Sequence, residues 1–460
     1  MPRRSSLHVL GVLALLATSG CATVDPRPDY EQARQEIRAT TGEAQQYDPQ
    51  GPVLSSEEIG AVLADGLGLA EATRLALLNN RRLQAGFLSL GVARSDFVQA
   101  GLLENPSLSL AFLFPDSGGR VRWTADLLGS VAEIWHIPAR QALARAGLEQ
   151  RILELSRFAG ELVADTRSAY LESVAAREAR SVARANVELA RRSLTGVRRQ
   201  VEGGVASRTD EGLAESLALG AELAFRRTER EEAAALRRLA ALLSLEEDLL
   251  LLTLTDPLPV PAWRTLEREE LVEKSVNARA DIRAAERAVA AAEEKVALER
   301  KQRFGLGAGA SAERPEGDSS VDLLVGPAAT VELPIFDQNQ AQVSRAEYEL
   351  AERRKEREAL VAEVRQEVRA ALDRAEVASR AATFASEELV PRAIANATLA
   401  EKAYELGDTT VLTLLQAQET ALEARRTEID ALLEAALSRI DLERAAGAPL
   451  EASPAEEEGR

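Results

Sequence analysis

The chain has 460 residues, 46% of them hydrophobic and 28% charged, which supplies a large core and excludes a disordered or collagen-like protein. Only 4% are aromatic, and the Ala, Leu, Glu and Arg that dominate instead fill long helices and coiled coils rather than a compact enzyme core. A formal charge of -18 argues against a nucleic-acid partner, because phosphate binding needs clustered cations; it serves solubility or a negatively charged internal surface.

Residues 1–20 read as a secretory signal peptide: Arg3 and Arg4, the apolar run Val9 to Ala17, then the small residues Thr18, Ser19 and Gly20. The apolar run is shorter than the ~20 residues a membrane-spanning helix needs. Cys21 is the single cysteine, so the chain has no intrachain disulfide and no Cys-based zinc site. Preceded by Ser19-Gly20 and followed by Ala22, it resembles the bacterial lipobox, although Thr18 stands where Leu is usual. That resemblance implies a covalent lipid on Cys21 and sorting to the outer membrane. Residues 21–65, with Pro26, Pro28, Pro49, Gly51 and Pro52 among polar side chains, read as an extended, lipid-anchored linker.

The remainder repeats itself at an offset of roughly 200 residues. Leu83-Gln84-Ala85 matches Ile282-Arg283-Ala284, Arg145-Ala146 matches Arg345-Ala346, and Gly204 and Gly407 each interrupt a long helical run. The repeats occupy 66–256 and 257–448, with Pro257, Pro259 and Pro261 at the seam and an acidic, disordered tail at 449–460. Each half reads as helix, two strands, very long helix, break, helix.

The long helices carry stripes with alternating spacings of three and four. One runs Leu148, Ile152, Leu155, Ala159, Leu162, Thr166, Ala169, Ser173, Ala176; the other runs Val361, Val364, Val368, Ala371, Ala375, Ala378, Ala382, Ala385, Leu389. Such seven-residue repeats describe helices that wind around neighbours. A helix from Gln141 to Gln200 extends on the order of 90 Å at 1.5 Å per residue, too long for a small globule.

Before each long helix lies a hairpin. The first spans about 106–130: Leu108 to Phe114, a turn at Pro115 to Gly119, and a return through Val121, Trp123, Ala125 and Leu127. The second spans about 304–333: Phe304 to Ala310, with Gly at alternate positions, then Pro315 to Asp318 and a return through Val321, Leu323 and Val325. The alternating glycines point to a curved or crowded strand. The hairpins fit an ordinary soluble surface. Equally, strands of roughly 9–11 residues cross a bilayer, provided they close into a barrel. Four strands fall short of the ~8 with which single-chain barrels begin, so closure needs several chains.

The whole pattern resembles the TolC-like outer-membrane factors of tripartite efflux systems. The resemblance runs from Leu69-Ala70-Glu71-Ala72 to Leu442-Glu443-Arg444-Ala445. Asn105 to Leu110, Leu333-Pro334-Ile335-Phe336-Asp337-Gln338-Asn339, and Ala403 to Asp408 with Leu414 to Gln418 carry it most specifically. It implies a mainly α fold with a small membrane β part. Long coiled-coil helices would form a trimeric α-barrel through the periplasm, and each chain would give four strands to a shared twelve-stranded transmembrane β-barrel.

It further implies a homotrimer in the outer membrane, contacting outer-membrane lipid and reached by a periplasmic adaptor protein that links it to an inner-membrane pump. The adaptor would meet the two helix turns, Gly203, Gly204, Val205 and Ser207 in one and Leu406, Gly407, Asp408 and Thr409 in the other. In the family an acidic ring follows the second turn; here those gate positions hold the uncharged Thr413 and Gln416. The expected activity is passive conduction in efflux or type I-like secretion, with no cofactor beyond the lipid on Cys21.

Catalysis finds little support in the residues. The two histidines are His8, inside the signal, and His136, and no HExxH, GxSxG or P-loop pattern surrounds them. The shortage of Cys and His argues against a dedicated soft-metal site. The alternative function is a soluble periplasmic coiled-coil lipoprotein, such as an adaptor or scaffold.

Overall fold

A computed structural model describes residues 23–52, 54–114, 116, 120–245, 253–260, 266–302, 305–314 and 323–450. The signal peptide, Cys21, most of both hairpin turns, Phe304, Val321, Pro261 and residues 451–460 of the tail lie outside them. The elements in order are α1 Arg27–Thr41, α2 Ser56–Ala64, α3 Leu69–Asn79, α4 Arg81–Ala100, β1 Ser107–Leu113, β2 Arg122–Ser130, α5 Ala132–Glu202 and α6 Arg208–Leu242. There follow α7 Arg268–Ala278, α8 Ala280–Lys301, β3 Leu306–Arg314, β4 Leu324–Val331, α9 Gln340–Phe384, a π turn Ala385–Leu389, α10 Val390–Glu405 and α11 Val411–Ala446. The chain is mainly helical with one small sheet.

Two compact units emerge, and neither is a half of the chain. One gathers 1–32, 88–152 and 284–356; the other gathers 33–87, 153–283 and 357–460. The first unit holds all four strands, which form one antiparallel sheet in the order β1-β2-β3-β4. Its central ladder pairs Trp123 with Arg314 through Ser130 with Gly307, joining the two hairpins directly. Gly309 has a steric reason to be glycine: a Cβ there would stand 1.8 Å from the Leu127 carbonyl oxygen on β2. In the same unit α8 and α9 are bridged by Lys295–Glu349 at 2.6 Å, Arg300–Glu347 at 2.7 Å and Arg354–Glu293 at 2.7 Å.

The second unit is helical. Val364, Val368, Ala371 and Ala375 of the α9 stripe are buried against Val272, Ile282 and Leu442. Along α5, Ala159, Thr166 and Ser173 are buried in the same way, and the two hydroxyls are satisfied by the carbonyls four residues back, each at 2.7 Å. Their small size lets neighbouring helices approach, as the heptad spacing requires. The α9 stripe passes into the π turn at Ala385–Leu389 just before Pro391. Proline has no N–H to give and its ring crowds the carbonyl four residues back, so a wider turn accommodates it within a continuing helix.

Residues 21–65 depart from the extended linker that their prolines suggest. Residues 27–41 form the 15-residue helix α1, with Ala33 and Ile37 fully buried, and Ser55 caps α2 through a capping box with Glu58. Pro28 lies in the first turn of α1, where an N–H has no acceptor inside the helix, so it starts the helix rather than breaking it. Glu36 accepts two hydrogen bonds from Arg283, both 2.7 Å, and the Thr40 and Ser156 hydroxyls are 2.8 Å apart.

The second unit also closes its helix ends in parallel ways. Asn79 and Asn80, at the α3–α4 junction, donate to the carbonyls of Leu243 and Leu242 at the end of α6, at 2.7 and 2.8 Å. Arg279, at the α7–α8 junction, donates to the Ala445 carbonyl in α11 at 3.0 Å. Orphan carbonyls at both helix ends are thereby satisfied.

Candidate functional site: a two-faced sheet and two helix tips

The sheet separates its side chains by polarity. Residues opposite each other across a ladder point to the same side. Leu108, Leu110 and Phe112 on β1 therefore share a face with Leu127, Ala125 and Trp123 on β2, then Ala310 and Ala312 on β3 and Val325 and Pro327 on β4. Arg314, at the end of β3 opposite Trp123, is the single charge among the strand residues of that face. Leu108 is 63% exposed and Phe112 56% exposed, so a large apolar surface is uncovered in the single chain.

The other face is mainly polar, with Ser107, Ser109, Arg122, Thr124, Asp126, Ser130, Ser311, Glu313 and Thr330, and also carries Leu113, Leu128 and Leu324. There Arg122 bridges Glu313 at 2.7 Å, and the Ser311 hydroxyl donates to Asp126 at 2.6 Å. The outer strands β1 and β4 are each paired on one side only, and β4 contains Pro327, which lacks a donor and suits an outer strand. Strands of 7 to 9 residues extend about 23–30 Å. Among the described residues no helix is long and apolar enough to cross a membrane. No group of three His, Cys, Asp or Glu among them is arranged to hold a metal.

The two turns at the far ends of α5 and α10 have the same construction. Gly204 has φ +71° and Gly407 φ +77°, the left-handed region open to glycine at little cost. Around the first, the Val205 N–H donates to Gln200 O at 2.8 Å and the Gly204 N–H to Val201 O at 3.1 Å. Around the second, Asp408 donates to Ala403 O at 2.8 Å and Gly407 to Tyr404 O at 3.0 Å. Both are Schellman motifs, which satisfy the last helix carbonyls.

Three residues past each glycine a hydroxyl starts the next helix. Ser207 accepts from the Asp210 N–H at 3.2 Å, and Thr410 from the Thr413 N–H at 3.3 Å. The Ser207 hydroxyl and N–H hold the Asp210 carboxyl below the usual carboxylate range. Val205 is 81% exposed and Leu406 78% exposed, while Gly203, Asp408 and Gln416 are also exposed and Thr409 is half-buried. Gln200 donates through its side-chain amide to the Tyr404 hydroxyl, tying α5 to α10 beside the turns.

Thr410, Gln200 and Tyr404 thus join Thr409 and the other turn residues expected from the sequence. Thr410 was legible from the capping spacing it shares with Ser207. The Gln200–Tyr404 bond joins residues 204 positions apart and has no local signature. Thr413 and Gln416 lie three apart in the opening turns of α11, both exposed, and so share one side of it.

Residues 271–448 match the family model described as outer membrane efflux protein. No curated protein matches the chain in sequence. Among solved structures, the chain is similar to the open-state MtrE outer membrane channel of Neisseria gonorrhoeae, with a TM-score of 0.69 and 22% identity over 83% of this chain and 89% of that one. It is likewise similar to the CmeC outer membrane channel of Campylobacter jejuni, at TM-score 0.72 and 15% identity over 89% and 92% of the two chains. A membrane protein from Pseudomonas aeruginosa gives TM-score 0.71 and 21% identity over 82% and 92%. The fold is thus shared with these outer-membrane channels, and residues 271–448 match the outer membrane efflux protein family.

Proposed function

We propose that this protein is the outer-membrane channel of a tripartite efflux system, conducting its cargo passively from the periplasmic side to the outside. The observation that carries this reading is the sheet. It has one apolar face, one polar face and two unpaired edges, which a bilayer would leave unsatisfied. Three copies joined edge to edge, β4 of one to β1 of the next, would give a closed twelve-stranded barrel with the apolar face toward lipid. The parallel order α4-β1-β2-α5-α6 and α8-β3-β4-α9-α10-α11, with matching glycine turns and matching closure of α6 and α11, supports two internal repeats.

The long helices then form the walls of a periplasmic duct. The exposed turns bearing Gly203, Gly204, Val205, Ser207, Leu406, Gly407, Asp408 and Thr409 are offered to an adaptor, which couples the channel to an inner-membrane pump. Thr413 and Gln416 would stand at the periplasmic gate without charge, and a lipid on Cys21 would add a second anchor.

Electron microscopy of the detergent-extracted full chain tests this. A three-fold hollow tube with a detergent belt at one end is the expected outcome. A solid rod without a belt would favour the soluble coiled-coil lipoprotein, as would release of the Cys21→Ala chain without detergent. For the tips, replacing Gly204 and Gly407 by bulky residues should abolish efflux, and unchanged efflux would remove the adaptor assignment.

A further inference from the structure

We propose that Asp126 makes the lumen of the β-barrel prefer cations. The inference rests on the barrel reading above and adds to it the charge that a passing solute meets. Within the strands, the polar face carries three charged side chains: Arg122, Asp126 and Glu313. Arg122 and Glu313 neutralise each other at 2.7 Å. Asp126 has a hydroxyl for a partner, Ser311 at 2.6 Å, and no cation within ion-pair distance among the described residues.

Its register fixes where it stands. Asp126 pairs with Ser109 on one side and Ser311 on the other, near the middle of β2, and Gly309, Gly326 and Ala328 leave the face low on the β3–β4 side, while Leu128 flanks it along β2. Each chain therefore contributes one uncompensated carboxylate at one level of the wall, and a trimer contributes three. Fixed charges of one sign lining a narrow passage with low-dielectric walls concentrate counter-ions, and carboxylate rings select cations on this principle. Just outside the strands, Glu332 after β4 and Arg120 before β2 continue the alternation onto the same face with opposite signs. Thr413 and Gln416 are uncharged, so those two positions add nothing to this charge.

The test uses the full-length protein in outer-membrane vesicles, with Ser109→Cys as a reporter beside Asp126 and Leu108→Cys as its neighbour on the apolar face. The unaltered chain, whose single cysteine is Cys21, supplies the background. Water-soluble cationic and anionic methanethiosulfonate reagents are applied from outside. Ser109→Cys should react faster with the cation. Adding Asp126→Asn should lower the cation-to-anion rate ratio roughly three- to tenfold at low ionic strength and less in high salt, whereas Asp126→Glu should preserve it. Leu108→Cys should stay unreactive. Ser109→Cys reacting with an unchanged ratio after Asp126→Asn overturns the cation preference alone. Equal reaction at Leu108→Cys and Ser109→Cys overturns the barrel itself, and the cation preference with it.

Discussion

The side-chain amide of Gln200 donates a hydrogen bond to the hydroxyl of Tyr404, 204 residues further along the chain. Gln200 lies in the last turn of α5 and Tyr404 in the last turn of α10, so one bond holds the two glycine turns at a common level. Tyr404→Phe removes the acceptor while keeping the ring. The expected result is faster amide hydrogen exchange at 201–207 and 404–410, with protection in the middle of α5 and α9 unchanged, because local opening free energies are smallest at such ends. Identical exchange in the two proteins would mean that the bond constrains nothing.

The two turn glycines are required by backbone conformation and not by space. A Cβ at Gly204 or Gly407 meets no atom within 4 Å, yet both residues have positive φ. Gly204→Ala and Gly407→Ala should each lower stability by about 1–2 kcal/mol, the cost of a left-handed L-residue, and Gly407→Asn should cost less. Thermal denaturation of the three variants checks the order. Equal loss from alanine and asparagine would contradict the conformational account.

Gly309 in β3 obeys the opposite rule and is required by space. Gly309→Val places a side chain against the Leu127 carbonyl, whereas Gly326→Ala adds a methyl group where no atom lies within 4 Å. Assembly should fail in the first and persist in the second, as judged by heat-resistant oligomers on mild electrophoresis. Failure of both would show that β4 is crowded by a neighbour in the assembled protein.

Arg279 and Asp281 form a mostly buried pair at 2.7 Å, and Arg279 also bonds Glu367 at 2.7 Å and the Ala445 carbonyl. Burial opposes the charge on Asp281, but the hydrogen bonds and charge of Arg279 outweigh it and hold the carboxyl below its ordinary value. A depressed carboxylate contributes stability above its unfolded pKa, near 3.9, and loses that contribution as pH falls through the folded value. Asp281→Asn should therefore destabilise the protein at pH 7 by about 3 kcal/mol, since it leaves a buried guanidinium short of a partner. The gap from wild type should narrow as pH falls below about 4. Denaturant melts at pH 7 and 3.5 measure it, and a gap that widens in acid would reverse the sign of the assignment.

Much of this protein is decided by local spacing. The three-and-four stripes mark the faces that are buried along α5 and α9, because a side chain's direction on a helix follows from its number alone. Alternation likewise puts Leu108, Leu110 and Phe112 on one face of β1, and Gly204 and Gly407 mark the turns because few other residues tolerate positive φ. The residues that end up adjacent across long stretches of chain are another matter. That β2 pairs with β3, that Arg283 anchors the helix α1 concealed in a proline-bearing segment, and that Gln200 meets Tyr404 are set by how distant elements pack. Asp126 shows the division within one residue: its strand and face follow from alternation, but its lack of a cation partner among the described residues follows from a register that gives it Ser109 and Ser311 while Glu313 takes Arg122. Sequence periodicity encodes which way a side chain points; only the packed chain decides what it points at.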